Sequence, residues 1–408
     1  MLFFNDVANL ATIKTVINLR PDRLFLPIFL ATYALNRRRT DARVRVHPAE
    51  WCMLLLLGWS LLSLVIAGTL YHPQNRHLSS LINWIGLPLL TFWCVRRSGL
   101  SQRDIALVFR VLIGLGIYLA ATAVFEHYRL WALVFPRYIS DPRIGIQFGR
   151  SRGPFCNSAV MGGVLAIIYF MTLFYINNLR AAPWLRGLLG LLAAAVYFTY
   201  TRSAWLALIV SYVVLGLLNA RMRRHCATVV VIACLVLLSG AFSKFSLSEG
   251  TLFAKRQETV EDRANIMQVT VAMIKDKPFF GFGYGTFQSS NRRYFDSKGL
   301  GSAEEGNHNA FTGLLVDLGL LGFVPYVLTW VFLLKTSWHL ARRAGPPGSF
   351  SNELGAVTVS VLAGYLAGVQ FFDPRWFGFL NCLVFFVSGL ACAADERHVT
   401  RVARTRPR

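Results

Sequence analysis

Three side chains carry most of the chemistry this sequence offers. Arg202 stands in the short connection Thr199-Tyr200-Thr201-Arg202-Ser203 between two apolar runs. A charge beside hydrocarbon costs about 2.5–3.5 kcal/mol on insertion scales, so an arginine kept there faces a cavity or a partner. The planar guanidinium fork suits phosphate, which it meets through two parallel hydrogen bonds. His308 directly precedes an apolar run, inside Glu304-Glu305-Gly306-Asn307-His308-Asn309. Imidazole titrates near neutrality and can take the proton of an attacking hydroxyl, with Glu304 or Glu305 to orient its ring. Read alone, a histidine at a helix entrance is also a cap or a surface residue. Arg263, the third, lies on an amphipathic pattern and is read either as an anion ligand or as a flank residue reaching for water.

A second group of arginines lies in 127–155, where Arg129, Arg137, Arg143, Arg150 and Arg152 face only Asp141 nearby. Each is read as a phosphate ligand or, more plainly, as a contact to lipid headgroups. Arg143, Arg150 and Arg152, with Glu304, Glu305 and Asn309, are the candidate substrate contacts. Other chemistries are poorly supported. There is no DxD, no HExxH, no Cys/His spacing for a metal and no GxSxG elbow. Gly281, Gly283 and Gly285 follow a helix pattern and lack the nucleotide fingerprints, so they predict a tight turn with close backbone approach.

The elements that hold these residues are membrane helices. The chain of 408 residues is 55% hydrophobic with a mean hydropathy of +0.47, and only 15% of it is charged. About twelve apolar runs fit a hydrocarbon core roughly 30 Å thick: 2–19, 22–36, 50–69, 79–95, 105–126, 156–176, 184–199, 203–219, 227–242, 311–338, 354–372 and 376–394. The fold class is therefore an all-α integral membrane protein. The net charge of +22 does not imply nucleic acid, because the arginines sit in short loops between runs. Arg37–Arg39, Arg43, Arg45, Arg96, Arg97, Arg103, Arg221, Arg223, Arg224, Arg342, Arg343 and the tail beyond Arg397 fall on one side, which the positive-inside rule makes cytoplasmic together with both termini. No cleavable signal peptide is evident. The seven cysteines lie in or beside apolar runs and predict core packing.

These runs divide the chain into 1–242 with nine spans, a polar loop over 243–310, spans over 311–394 and a basic tail over 395–408. Inside the loop, Val260, Ala264, Met267, Val271 and Ile274 recur at helical spacing. Thr259 with Asp262 predicts a capping box at its start, Pro278 ends it, and Arg263 lies about 60° from the centre of the stripe, toward the membrane domain.

In this order the residues resemble the bacterial O-antigen ligases, within a wider group of ligase and polymerase membrane proteins. Arg202-Ser203-Ala204-Trp205-Leu206 fits that family's arginine, three residues, leucine pattern. His308-Asn309, nine residues, then Gly319-Leu320-Leu321-Gly322 fits its histidine pattern, and the stretch from Arg263 through the glycine run to Phe287 looks like the segment before it. The resemblance implies a GT-C-like membrane fold and transfer of a glycan from undecaprenyl diphosphate to a sugar hydroxyl of lipid A–core. The reaction would occur at the periplasmic face of the inner membrane, with inversion and with neither metal nor other cofactor. It implies Arg202, Arg263 and His308 as essential residues. Membrane lipids and the two substrates are the expected partners of a monomer. A polymerase or a protein O-oligosaccharyltransferase shares the donor; a transporter or flippase is the reading from another class.

Overall fold

The computed structural model describes residues 46–69, 77–179, 182–238, 250–300, 309–343 and 348–405, so the expected spans 2–19 and 22–36 lie outside the described residues. The other ten each coincide with a helix. They are α1 (Pro48–Ile66), α2 (His77–Arg97), α3 (Gln102–His127), α4 (Ser158–Asn178), α5 (Pro183–Phe198), α6 (Arg202–Leu218), α7 (Arg223–Leu238), α10 (Ala310–Arg343), α11 (Phe350–Gly368) and α12 (Gly378–Thr405). Between α7 and α10 lie α8 (Gly250–Asp276) and α9 (Phe287–Ser297). Among the described residues six helices are long and apolar enough to cross a membrane, and α5 and α6 are apolar but shorter.

The bundle closes around α4, whose apolar window is 94% buried. Apolar side chains gain little by leaving lipid for one another, so such helices associate through small residues that admit close backbones. A Cβ on Gly364 of α11 would stand 2.5 Å from the Ala207 carbonyl oxygen of α6, and one on Gly162 of α4 2.4 Å from Ala204 Cβ. Cys52, Cys94, Cys156, Cys226, Cys382 and Cys392 are buried and not disulfide-bonded, as packing residues.

α10 is two helices in one. Gly319 breaks it with φ 60° and ψ −165°. Broken backbone at membrane depth must have its amides and carbonyls paired by protein. The segment 278–283 supplies the partners. Phe282 N–H donates to the Val316 carbonyl (2.9 Å) and Gly283 N–H to that of Asp317 (2.9 Å). Leu320 N–H donates to the Pro278 carbonyl (2.9 Å) and Leu321 N–H to that of Phe279 (3.2 Å). Trp59 Nε1–H of α1 takes the Leu318 carbonyl at 2.9 Å. The approach needs glycine on both sides. A Cβ on Gly319 would lie 2.3 Å from Phe279 O, and one on Gly281 2.5 Å from Asp317 O. The close approach expected of the glycine run is thus backbone against backbone.

Two expectations for α8 are overturned. The helix does not begin at Thr259 but runs unbroken from Gly250, so no capping box forms there. Its buried stripe is Ile266, Val269 and Met273, packed with Phe287, Phe295 and Val316. Met267 and Val271, expected in the stripe, are exposed. The docking partners α9 and α10 choose the face, and both stripes have helical period.

Candidate functional site

The helix ends sort into two faces. One gathers the starts of α1, α3 and α12's far end with many of the loop arginines; the other gathers 128–157, 199–202, 278–286, the start of α10 and 369–377.

On the second face, the loop 128–157 is folded around Arg152. This side chain is fully buried, and its guanidinium donates to the carbonyls of Ile144 (2.6 Å), Ile139 (2.9 Å) and Asp141 (2.7 Å). Its backbone N–H and that of Gly153 converge on Glu126 Oε2 at 3.1 and 2.7 Å. The expected phosphate contact from Arg152 is therefore corrected: with the guanidinium enclosed and directed at carbonyls, Arg152 shapes the loop. Arg143, also expected to bind substrate, is 87% exposed and forms a 2.9 Å ion pair with Asp141. The pair holds the Asp141 carboxyl down at about 2.

Arg150 is placed differently. Ser151 N–H donates to the Phe198 carbonyl at 3.2 Å, and Ser158 Oγ meets Thr201 Oγ1 at 2.8 Å and also bonds Gln147. These bonds lay the loop across the start of α6 and bring Arg150 near enough to feel the charge of Arg202. Arg150 is half-buried, and its pKa is lowered first by that burial and then by the charge of Arg202. Arg202 is the first residue of α6 and is exposed. Thr201 does not cap the helix, since its hydroxyl is engaged with Thr199 and Ser158. A helix N-terminus favours negative charge and opposes a cation. Positive charge at such an end suits an anion.

His308, Glu304 and Glu305 lie outside the described residues. Asn309, expected to touch substrate, serves the start of α10 instead. Its Oδ1 accepts the N–H of Phe311 (2.8 Å) and Thr312 (3.2 Å), which is N-cap geometry. Its Nδ2 donates to Gln370 Oε1 at 3.0 Å, and Ala310 N–H donates to the Val369 carbonyl at 3.1 Å. A Cβ on the neighbouring Gly368 would be 3.6 Å from Ser203 O, so 368–370 link the start of α10 to the residue after Arg202. Arg263 is exposed on α8.

Sequence reasoning missed an ionic centre on the same face. Asp317, fully buried, accepts Gly285 N–H at 3.1 Å and pairs with Arg375 Nη1. Asp373 holds Arg375 at 2.6 Å through Nη2 and at 2.8 Å through Nε. Burial works against the arginine's charge, yet Asp373 and Asp317 together keep its pKa well above the ordinary value. Ser80 Oγ donates to the Arg375 carbonyl (3.2 Å) and meets Tyr284 OH (2.9 Å). One network thus joins α2, the glycine run, α10 and the 369–377 loop. The signal was present: a lone aspartate inside an apolar run asks for a buried partner.

Comparison with known proteins finds one family. Residues 187–327 match the sequence model of the family described as O-Antigen ligase. The matched range holds Arg202, Arg263, His308 and the Gly319 break; Arg150 and the Asp373–Arg375 loop lie outside it. No curated protein matches the chain.

Proposed function

We propose, from the match of residues 187–327 to the O-antigen ligase family, that the protein is a membrane glycosyltransferase that transfers a glycan from undecaprenyl diphosphate to a sugar hydroxyl of lipid A–core. The observation that supports this reading is the bonding of the 147–158 loop to the start of α6, which sets Arg150 within the field of Arg202.

The donor's diphosphate is already a competent leaving group, so its departure needs charge stabilisation more than covalent help. Arg150 and Arg202 grip the phosphates from two sides, and the α6 N-terminus adds a fixed dipole. Arg263 approaches from α8. His308 takes the proton of the acceptor hydroxyl as its oxygen attacks the anomeric carbon, and the C–O bond to the diphosphate breaks in the same displacement, inverting the centre. Asn309 and the 369–370 segment hold the chain that follows His308 close to Ser203. On this reading the second face and the loop 243–310 are periplasmic, and the basic face is cytoplasmic by the positive-inside rule.

Purified protein supplied with lipid-linked glycan and lipid A–core tests the proposal. The expected product is a ladder on lipid A–core that is lost in His308→Ala. Longer lipid-linked chains would identify a polymerase, and a glycosylated protein would identify an oligosaccharyltransferase. No covalent product with correctly folded protein would leave transport as the better reading.

A further inference from the structure

We propose that α8 and the turn after it rest on the lipid surface, with Phe279 and Phe280 inserted among the acyl chains, so that Arg263 is carried at headgroup depth. Phe279 and Phe280 are 61% and 65% exposed, an unusual position for two adjacent aromatic rings unless something apolar covers them. The neighbours name the cover. Leu321 N–H bonds the Phe279 carbonyl, which fixes these rings beside Leu320, Leu321 and Val324, the exposed apolar face of α10 just past its break. On the other side Phe280 meets the Trp59 ring at 6.0 Å, on α1, whose exposed residues include Leu55 and Leu62. Both α1 and α10 are helices long and apolar enough to span a membrane, and their outward faces are lipid faces. The two phenylalanines continue that surface toward its rim, where aromatic rings concentrate.

α8 carries the surface onward. Met267 and Val271 are 45% and 42% exposed and lie at positions i+4 and i+8 from Arg263, beside the stripe that docks on α9 and α10. A helix with a second apolar stripe and Lys275 at its end is built to lie in an interface, the stripe in the acyl boundary and the cations among headgroups. Arg263, on the same side of the helix, then meets phosphate at the depth where any lipid-linked diphosphate presents it. A protein occupant of this patch would have no reason to be continuous with two spanning helices; lipid does.

The experiment uses the whole protein in nanodiscs of phosphatidylethanolamine and phosphatidylglycerol. Nitroxide labels go on Phe280→Cys, Met267→Cys and Val271→Cys, with Lys298→Cys at the exposed end of α9 as the aqueous reference and the labelled parent as background. Collision rates with oxygen and with a water-soluble nickel chelate report depth. Labels at 280, 267 and 271 should favour oxygen over nickel several-fold relative to 298, with 280 the deepest. Nickel access at 280 or along α8 equal to that at 298 would overturn the proposal, as would strongly immobilised spectra at 267 and 271, which would mean that protein covers the stripe. Phe279→Ser with Phe280→Ser, read through the label at 267, keeps the test independent of any one cysteine variant. Loss of the rings should raise nickel access at 267, and an unchanged ratio would refute the anchoring role.

Discussion

Both ends of the bundle clamp arginines with acids, and the second also sets arginine at a helix start. On the basic face Glu50 is buried at the start of α1 and pairs with Arg96 (2.7 Å) and Arg97 (2.6 Å) at the end of α2, while Glu396 of α12 takes Arg96 Nε at 2.7 Å. Arg96 and Arg97 each have an acid, and the cluster clamps three helices. On the other face Arg375 is clamped in the same manner by Asp317 and Asp373. Arg150, however, is drawn into half-burial within the field of Arg202. Paired arginines hold helices together. Arg150 and Arg202 instead feel each other's charge at a helix start, and the proposed anion binding rests on that placement.

Breaking that contrast should give effects of graded size. Arg202→Ala should lower transfer by about 100- to 1000-fold, as loss of one preorganised electrostatic group does elsewhere, with unfolding temperature unchanged. Arg202→Lys should recover only part, because an ammonium lacks the fork. A kinetic assay with thermal unfolding in detergent separates the two quantities. The clamps should behave conversely. Glu50→Gln takes the acid from the nearly buried Arg97 and should cost roughly 3–5 kcal/mol of stability, whereas Asp317→Asn leaves Arg375 to Asp373 and should cost less. Transfer per folded molecule should survive Glu50→Gln, whereas Asp317→Asn also frees the glycine run and should slow it. Asn309→Ala removes an N-cap worth about 1 kcal/mol and should lower the unfolding temperature slightly while weakening transfer by misplacing the chain at His308. The smallest effect belongs to Arg143→Ala. Its solvent-exposed pair contributes little, and both stability and rate should stay within error of the parent.

Much of this was written in the residues, and the exceptions have physical reasons. Helix positions among the described residues followed from apolar runs because lipid demands them. Arg202 stood out because a cation at a hydrocarbon edge needs a purpose. Arg150 and Arg152 were indistinguishable in sequence, two residues apart in one loop, and only folding decides that one guanidinium turns inward to three carbonyls while the other stays half-buried within the field of Arg202. The glycine run announced close approach but not its target, since the partner lies far along the chain at Gly319. Asp317, Asp373 and Arg375 went unread because each looks incidental until the fold brings them together. For α8 periodicity alone could not choose between two stripes, and Asn309 looked like a ligand because an N-cap and a substrate contact use the same amide.

The stitch between 278–283 and the break in α10 has a practical corollary. Because Phe282 is bonded to Val316 and Gly283 to Asp317, the ends of the intervening chain are fastened to each other independently of what lies between. Entropy penalises a longer loop only logarithmically. Gly299, at the turn after α9, has nothing within 4 Å of an added Cβ. That turn is where a fiducial domain or an affinity handle can be grafted while the rest of the fold keeps its register.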